Sequence, residues 1–425
     1  MKKILSIALV LVMCATLLPV VAGEPVTVKF WSHINEAWND SYEQLIAEFE
    51  EANPDIKIEY QTYPYDDFEA KIQTSLMAGA SGADVYEVWG GWMLDFAAQG
   101  VLSETPAAFV ADLEEDAYAP VLGALKHDGK YYGAPIEFNI EYGGIVVNKK
   151  LYEEAGLSYP TTWDQLIEDA KKVSVSDGEA MIMRGFGYAN YDTLTANFLA
   201  LILQSGGQYL NEDGSVDFTS PEAVAAMKQL VGYTADDHIN NLDSLTNQDT
   251  QEDHMMVALD ECFGCVRGPW VLSDIEQSYG LTMGVDYDYI SQPTFYEGVD
   301  PKFAAETGWS LCVPKNTEVE EAAWRFVEFL NQPDVMLRHN IACTQVPARR
   351  SVAQDPDYVA GARYMEPLLD KLQYAQFIGP FNTDILKTYI MQTFMNLVTG
   401  DHSDEAVQAA CVKLTEDLAK DMNIY

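Results

Sequence analysis

Val26, Val28 and Phe30 alternate with Thr27 and Lys29, the period-two pattern of a strand with one buried face. The strand runs to Trp31, and Ser32 to Asn39 then reads as a loop. Tyr42, Leu45, Ile46 and Phe49 follow at i, i+3, i+4 and i+7, one face of a helix, and Asn53-Pro54 ends it. Ile56, Ile58 and Tyr60 alternate again. Phe68, Ile72 and Leu76 mark a second helix closed by Gly79, and Asp84 to Trp89 is a third strand leading through Gly90-Gly91 into a short helix. Strands alternating with helices predict a mainly parallel sheet covered on both faces. Ligands of such sheets sit beyond the carboxyl ends of the strands, which singles out the loops Trp31–Glu36 and Trp89–Trp92.

Further on, the pattern turns into long extended segments. Ala134 to Lys150 starts from a Tyr-Gly-Ala-Pro turn, alternates polar and apolar residues, and enters the β-branched run Ile145, Val146, Val147. It reads as chain crossing from one lobe to another with polar side chains facing a gap. Tyr289 to Tyr296 reads as the return. Tyr159-Pro-Thr-Thr-Trp163 opens a helix with a Thr cap and Asp164 in its first turn, and Thr219-Ser-Pro-Glu222 opens another. The last 75 residues are expected to be mostly helical, with 401–420 as one amphipathic helix.

Composition bounds the function. A chain of 425 residues can bury two large cores. Its net charge of −41 excludes bulk attraction to nucleic acid or anionic membrane and favours solubility or a salty or acidic milieu. Met1-Lys2-Lys3 and the apolar run from Ile4 read as a secretion leader, with a small-residue cleavage site at Val20-Val21-Ala22 and loss of residues 1–23. An exported protein, periplasmic or at the cell surface, is expected. A lipid anchor on Cys14 is the less favoured alternative, because Met13 stands where a lipobox has a small residue. Beyond the leader remain Cys262, Cys265, Cys312, Cys343 and Cys411, an odd number that leaves a free thiol. Cys262 and Cys265 are read as a local disulfide or two buried thiols, since no second pair has metal spacing.

Enzymatic signatures are missing: there is no H-E-x-x-H, no P-loop, no G-x-S-x-G and no strand-linked G-x-G-x-x-G. The six His residues are scattered without metal spacing, so no metal or cofactor is expected, and 66 acidic residues single out no hydrolytic pair.

Taken together, Phe30-Trp31, Asn53-Pro54, Ala83-Asp84-Val85, the crossing at Ala134–Lys150, Pro160-Thr-Thr-Trp163, Gly206-Gly207-Gln208-Tyr209, Gly268-Pro269-Trp270 and Gly308-Trp309 resemble the family 1 extracellular solute-binding proteins, the receptors of sugar-importing ABC transporters. The resemblance implies an α/β, two-lobed type II periplasmic-binding-protein fold: two discontinuous domains, 24–136 plus 296–340 and 137–295 plus 341–425, joined by hinge crossings, of which Val346-Pro347-Ala348-Arg349-Arg350 resembles the third. It implies a monomeric, non-catalytic receptor that captures a mono- or oligosaccharide between the lobes and delivers it to membrane permease subunits. Two alternatives stay open, a secreted carbohydrate-active hydrolase and a receptor for glycerol phosphate, a polyamine or another non-sugar solute.

Sugars present hydroxyls on the rim and apolar C–H faces, which amides, carboxylates and aromatic rings complement. The polar candidates are His33, Asn35 and Glu36 in the first lobe, Asn139 and Glu141 in the crossing, and Arg267. Tyr191 comes from a Tyr-rich loop. Trp89, Trp92, Trp270 and Trp309 each stand at or near a glycine at a strand end, an awkward choice for core packing but a natural one for stacking a sugar face.

Overall fold

The computed structural model describes residues 24–79, 82–177, 180–241 and 252–425. The leader, its cleavage site and Cys14 lie outside them. Val26–His33 pairs in parallel with Ile56–Tyr63 along its whole length and, through Phe30 and Trp31, with Val85–Trp89. Its alternation buries Val28 and Phe30, as period two requires. The strand runs on to His33, and Asn35 then caps the helix Glu36–Ala52 by accepting from Trp38 N. The expected loop is therefore only a two-residue joint. Trp89-Gly90-Gly91-Trp92 is no loop either: the strand ends at Trp89 and the helix Gly90–Ala98 begins at once.

Two antiparallel strands complete this sheet. Trp309–Cys312 runs beside Val85–Trp89 with Trp309 opposite Trp89, and carries Ala134–Pro135 on its other edge. In the second lobe the fully buried Gly144–Asn148 is flanked by Gly264–Val266 and Tyr287–Ser291, both antiparallel. Within these two sheets parallel pairing thus holds for the first three strands only, although the short strands Phe303–Ala305 and Ala375–Phe377 pair in parallel elsewhere. The later partners arrive from far along the chain, so local alternation carries no information about their direction.

Each lobe has its own core. One gathers Phe30, Tyr42, Phe68, Trp92, Trp309 and Phe326, and the other Tyr142, Val146, Trp163, Tyr188, Phe198 and Phe394. Helix starts follow the local chemistry: Thr162 accepts from Gln165 N, and Ser220 from Ala223 N with Pro221 in the first turn. The C-terminal region is largely helical, ending in Thr383–Thr399 and Asp404–Asp421. Cys262, Cys265, Cys312, Cys343 and Cys411 are all buried free thiols, so no local disulfide joins Cys262 to Cys265. Burial pushes the Cys262 thiol up to about 12, leaving it protonated and unreactive. Among the described residues no helix is long and apolar enough to cross a membrane.

Candidate functional site

Between the two cores lies a cleft of about 390 Å³. Its first wall grows from the strand ends of the five-stranded sheet. The buried Glu87 carboxylate accepts from Tyr42 Oη at 2.8 Å and from His33 N at 3.1 Å, and its Oε2 lies 2.6 Å from His33 Nδ1. This fixes the imidazole flat against Trp309, with centroids 4.3 Å apart and planes 4° from parallel. The edges of Trp89 and Trp92 meet Trp309 at 5.4 and 5.7 Å. From behind, Trp309 N donates to Glu137 Oε1 at 3.0 Å. Glu137 is fully buried and, among the described residues, its other oxygen has no hydrogen-bond partner. Burial pushes its carboxyl up to about 8, so it is mainly protonated at neutral pH.

The opposite wall is built on the start of the helix Val271–Tyr279. Glu141 accepts from Gly268 N at 3.0 Å and from Trp270 Nε1 at 2.8 Å. A Cβ on Gly268 would lie 2.7 Å from Ile140 O, so the glycine is what lets this turn close on the crossing. Burial, with Asp192 nearby, raises the Glu141 carboxyl to about 7 against the pull of Arg267. Arg267 Nη2 donates to Glu252 Oε2 at 3.0 Å, and its guanidinium stands 5.8 Å from the Trp270 ring.

A third element comes from the helix Thr383–Thr399. Lys387 Nζ lies 2.8 Å from both Asp192 Oδ1 and Glu306 Oε2, and 5.3 Å from the Trp89 ring. Burial opposes its charge, but Asp192, Glu306 and Asp384 outweigh that and hold the ammonium pKa well above its usual value. Beside it, Tyr191 Oη donates to Asp384 O at 2.7 Å.

The cleft therefore brings together His33, Asn35, Trp89, Asn139, Glu141, Tyr191, Arg267, Trp270 and Trp309. Glu36 and Trp92 lie outside its lining. Glu36 is exposed in the first turn of its helix, where an acid suits the helix dipole. Trp92 is only 2% exposed, and its Nε1 donates to Asp384 Oδ2 at 2.9 Å. The glycines before it admit protein, not solute: a Cβ on Gly90 would lie 2.6 Å from Thr307 Cβ, and one on Gly91 would lie 3.0 Å from Thr383 N.

Sequence reasoning missed several lining residues. Asn190 and Asp192 flank Tyr191 and were within reach of the same argument, and so was Trp38, one turn into the first helix. Glu306, Gln345 and Lys387 come from distant segments and carry no local signal. Among the described residues no group of three or more His, Cys, Asp or Glu is placed to hold a metal ion.

A model of the family described as bacterial extracellular solute-binding protein matches residues 35–337. A lactose-binding protein of Rhizobium radiobacter is 24% identical over 91% of this chain and 91% of its own length. A maltotriose-binding protein of Pyrococcus abyssi is 23% identical over 78% of this chain and 68% of its own length. Among solved structures, the GacH receptor of Streptomyces glaucescens superposes with a TM-score of 0.75 at 20% identity, covering 94% of this chain and 100% of that one. At that identity the likeness speaks for the fold, a two-lobed binding-protein architecture.

Proposed function

The chain belongs to the family of bacterial extracellular solute-binding proteins, and from that premise we propose that it is an exported receptor that captures an uncharged mono- or oligosaccharide in its interlobe cleft and hands it to the permease of an ABC importer. The observation that carries this reading is the make-up of the cleft. Trp38, Tyr65, Trp89, Trp270 and Trp309 supply ring surface, while the two cations between them are already paired within the protein. Arg267 is held by Glu252 and Lys387 by Asp192 and Glu306, which leaves, among the described lining residues, no spare cation for a phosphate. Relatives named for lactose and maltotriose point the same way. In this reading the lobes comprise 24–136 plus 296–340 and 137–295 plus 341–425, and the receptor binds without converting its ligand.

Thermal shift and calorimetry with maltotriose, lactose and arabinotriose test the proposal. At least one is expected to raise the melting temperature by mass action and to be recovered intact. A shift with spermidine or glycerol 3-phosphate and none with the sugars would overturn the sugar assignment. Steady release of shorter sugars would overturn the receptor assignment in favour of a hydrolase.

A further inference from the structure

Two of the crossings meet at the floor of the cleft. Phe138 and Val346 pair as an antiparallel bridge, Phe138 N donating to Val346 O over 2.7 Å. One step along each strand, this register sets Asn139 opposite Gln345. Cross-strand neighbours of this kind project from the same side, with Cβ atoms roughly 4.5–5.5 Å apart. Both residues line the cleft, and both are more than nine-tenths buried, at 7% and 4% exposure.

Their surroundings hold the backbone in place. Gly308, at φ +82°, lies so close to the first crossing that a Cβ there would sit 2.9 Å from Asn139 N and 2.8 Å from Glu137 Oε1. Thr344, just before Gln345, is a non-glycine residue at φ +50°, and its hydroxyl donates to Ser273 Oγ at 3.2 Å. Among the described residues, neither the Asn139 nor the Gln345 side-chain amide has a hydrogen-bond partner. Their neighbours in the cleft are committed: Arg267 to Glu252, Lys387 to Asp192 and Glu306, Glu141 to Gly268 and Trp270, and Asn35 to its helix cap.

We infer that Asn139 and Gln345 are the specificity-determining pair of this receptor, two side-by-side amides on the hinge crossings that read adjacent hydroxyls of an uncharged sugar ring. The inference rests on the sugar-receptor reading above. Each amide offers a carbonyl acceptor and two N–H donors, so it can accept from one hydroxyl and donate to the next. A buried amide that the protein leaves unmatched disfavours any ligand that also leaves it unmatched, so it selects for hydroxyls at this point.

The test uses Asn139→Leu and Gln345→Met, which keep volume and remove the polar atoms. Binding of maltotriose, lactose and arabinotriose is measured by calorimetry, and melting temperature without sugar by calorimetric scanning. Each variant is expected to bind the wild type's preferred sugar about tenfold or more weakly. Its sugar-free melting temperature is expected to stay level or rise, because an apolar group replaces an amide that no protein group satisfies. Affinity within twofold of wild type in both variants would overturn this inference and leave the receptor reading standing. A fall in sugar-free melting temperature in both would also overturn it, by showing that the amides hold the fold. A wild type that binds none of the three sugars would overturn the sugar reading, and this inference with it.

Discussion

Trp309 has His33 flat against one face and the edges of Trp89 and Trp92 around it, with 7% of its surface exposed. It is as much a core residue as a cleft residue. Trp309→Ala is therefore expected to destabilise the protein by about 3–5 kcal/mol, the range for large-to-small changes of buried aromatics, read from the denaturation midpoint. The half-buried Trp270 differs: Trp270→Ala should leave the midpoint nearly unchanged and weaken sugar binding several-fold by calorimetry. Equal midpoints for the two variants would contradict this contrast. Behind Trp309, Glu137 carries a pH signature. Burial lifts its folded-state carboxyl from 4.5 to about 8, so its stabilising contribution is present below the unfolded value and is lost as pH rises through the folded one. Glu137→Gln stays neutral throughout and can still accept from Trp309 N. The melting temperature of the variant relative to wild type should thus climb between about pH 5 and pH 9, and a flat difference would count against a buried, protonated Glu137. The chemistry of single residues was partly legible in the sequence. A tryptophan near a glycine led to the cleft wall at Trp270 and away from it at Trp92, because a glycine signals close approach without saying whether protein or solute approaches.

At the scale of elements, the helices Gly90–Ala98 and Thr383–Thr399 join the lobes beside the cleft. Trp92 Nε1 donates to Asp384 Oδ2, Asn382 Nδ2 donates to Asp95 Oδ2 at 2.8 Å, and the Tyr425 hydroxyl donates to Asp95 Oδ1. Asp95 thus accepts from two residues of the C-terminal segment, Asn382 and Tyr425. Asp95→Ala should loosen this seam without unfolding either core: small-angle scattering of the sugar-free protein is expected to give a larger radius of gyration, with unchanged circular dichroism. An unchanged radius would mean that the seam does not hold the lobes together. The elements themselves were the most legible level. Period-two and helical spacing located the strands and helices from Val26 to Ala98, and the Thr cap before Trp163 and the early Pro221 marked two helix starts. Strand direction in the second lobe was not legible, because Gly144–Asn148 pairs with residues 117 or more positions away in sequence, from Gly264 and Tyr287 onward. Lys387 was hidden for a similar reason. Nothing on its own helix distinguishes a lysine that reaches Asp192 and Glu306 from one that faces water.

Over the whole molecule, 66 acidic residues face 25 basic ones, so even complete pairing would leave 41 negative charges without a partner. Many pairs that do form, such as Arg338 with Glu48, are about half exposed on both sides and contribute little. Self-repulsion among the remaining carboxylates therefore works against the folded state and should be screened by salt, with a Debye length that falls from about 30 Å at 0.01 M to about 10 Å at 0.1 M. The melting temperature is expected to rise over that range. The cleft should behave differently. Lys387 is buried between Asp192 and Glu306 at 2.8 Å, and Arg267 lies against Glu252, so these charges are matched at contact distance and largely out of reach of the ion atmosphere. An uncharged sugar displaces no counterions when it enters. Its dissociation constant, measured by calorimetry across the same salt series, should stay within about twofold while stability climbs. A ligand whose affinity falls steeply with added salt would be cationic, drawn in by the net negative field, and would place the receptor's specificity in its charge rather than in Asn139, Gln345 and the aromatic walls.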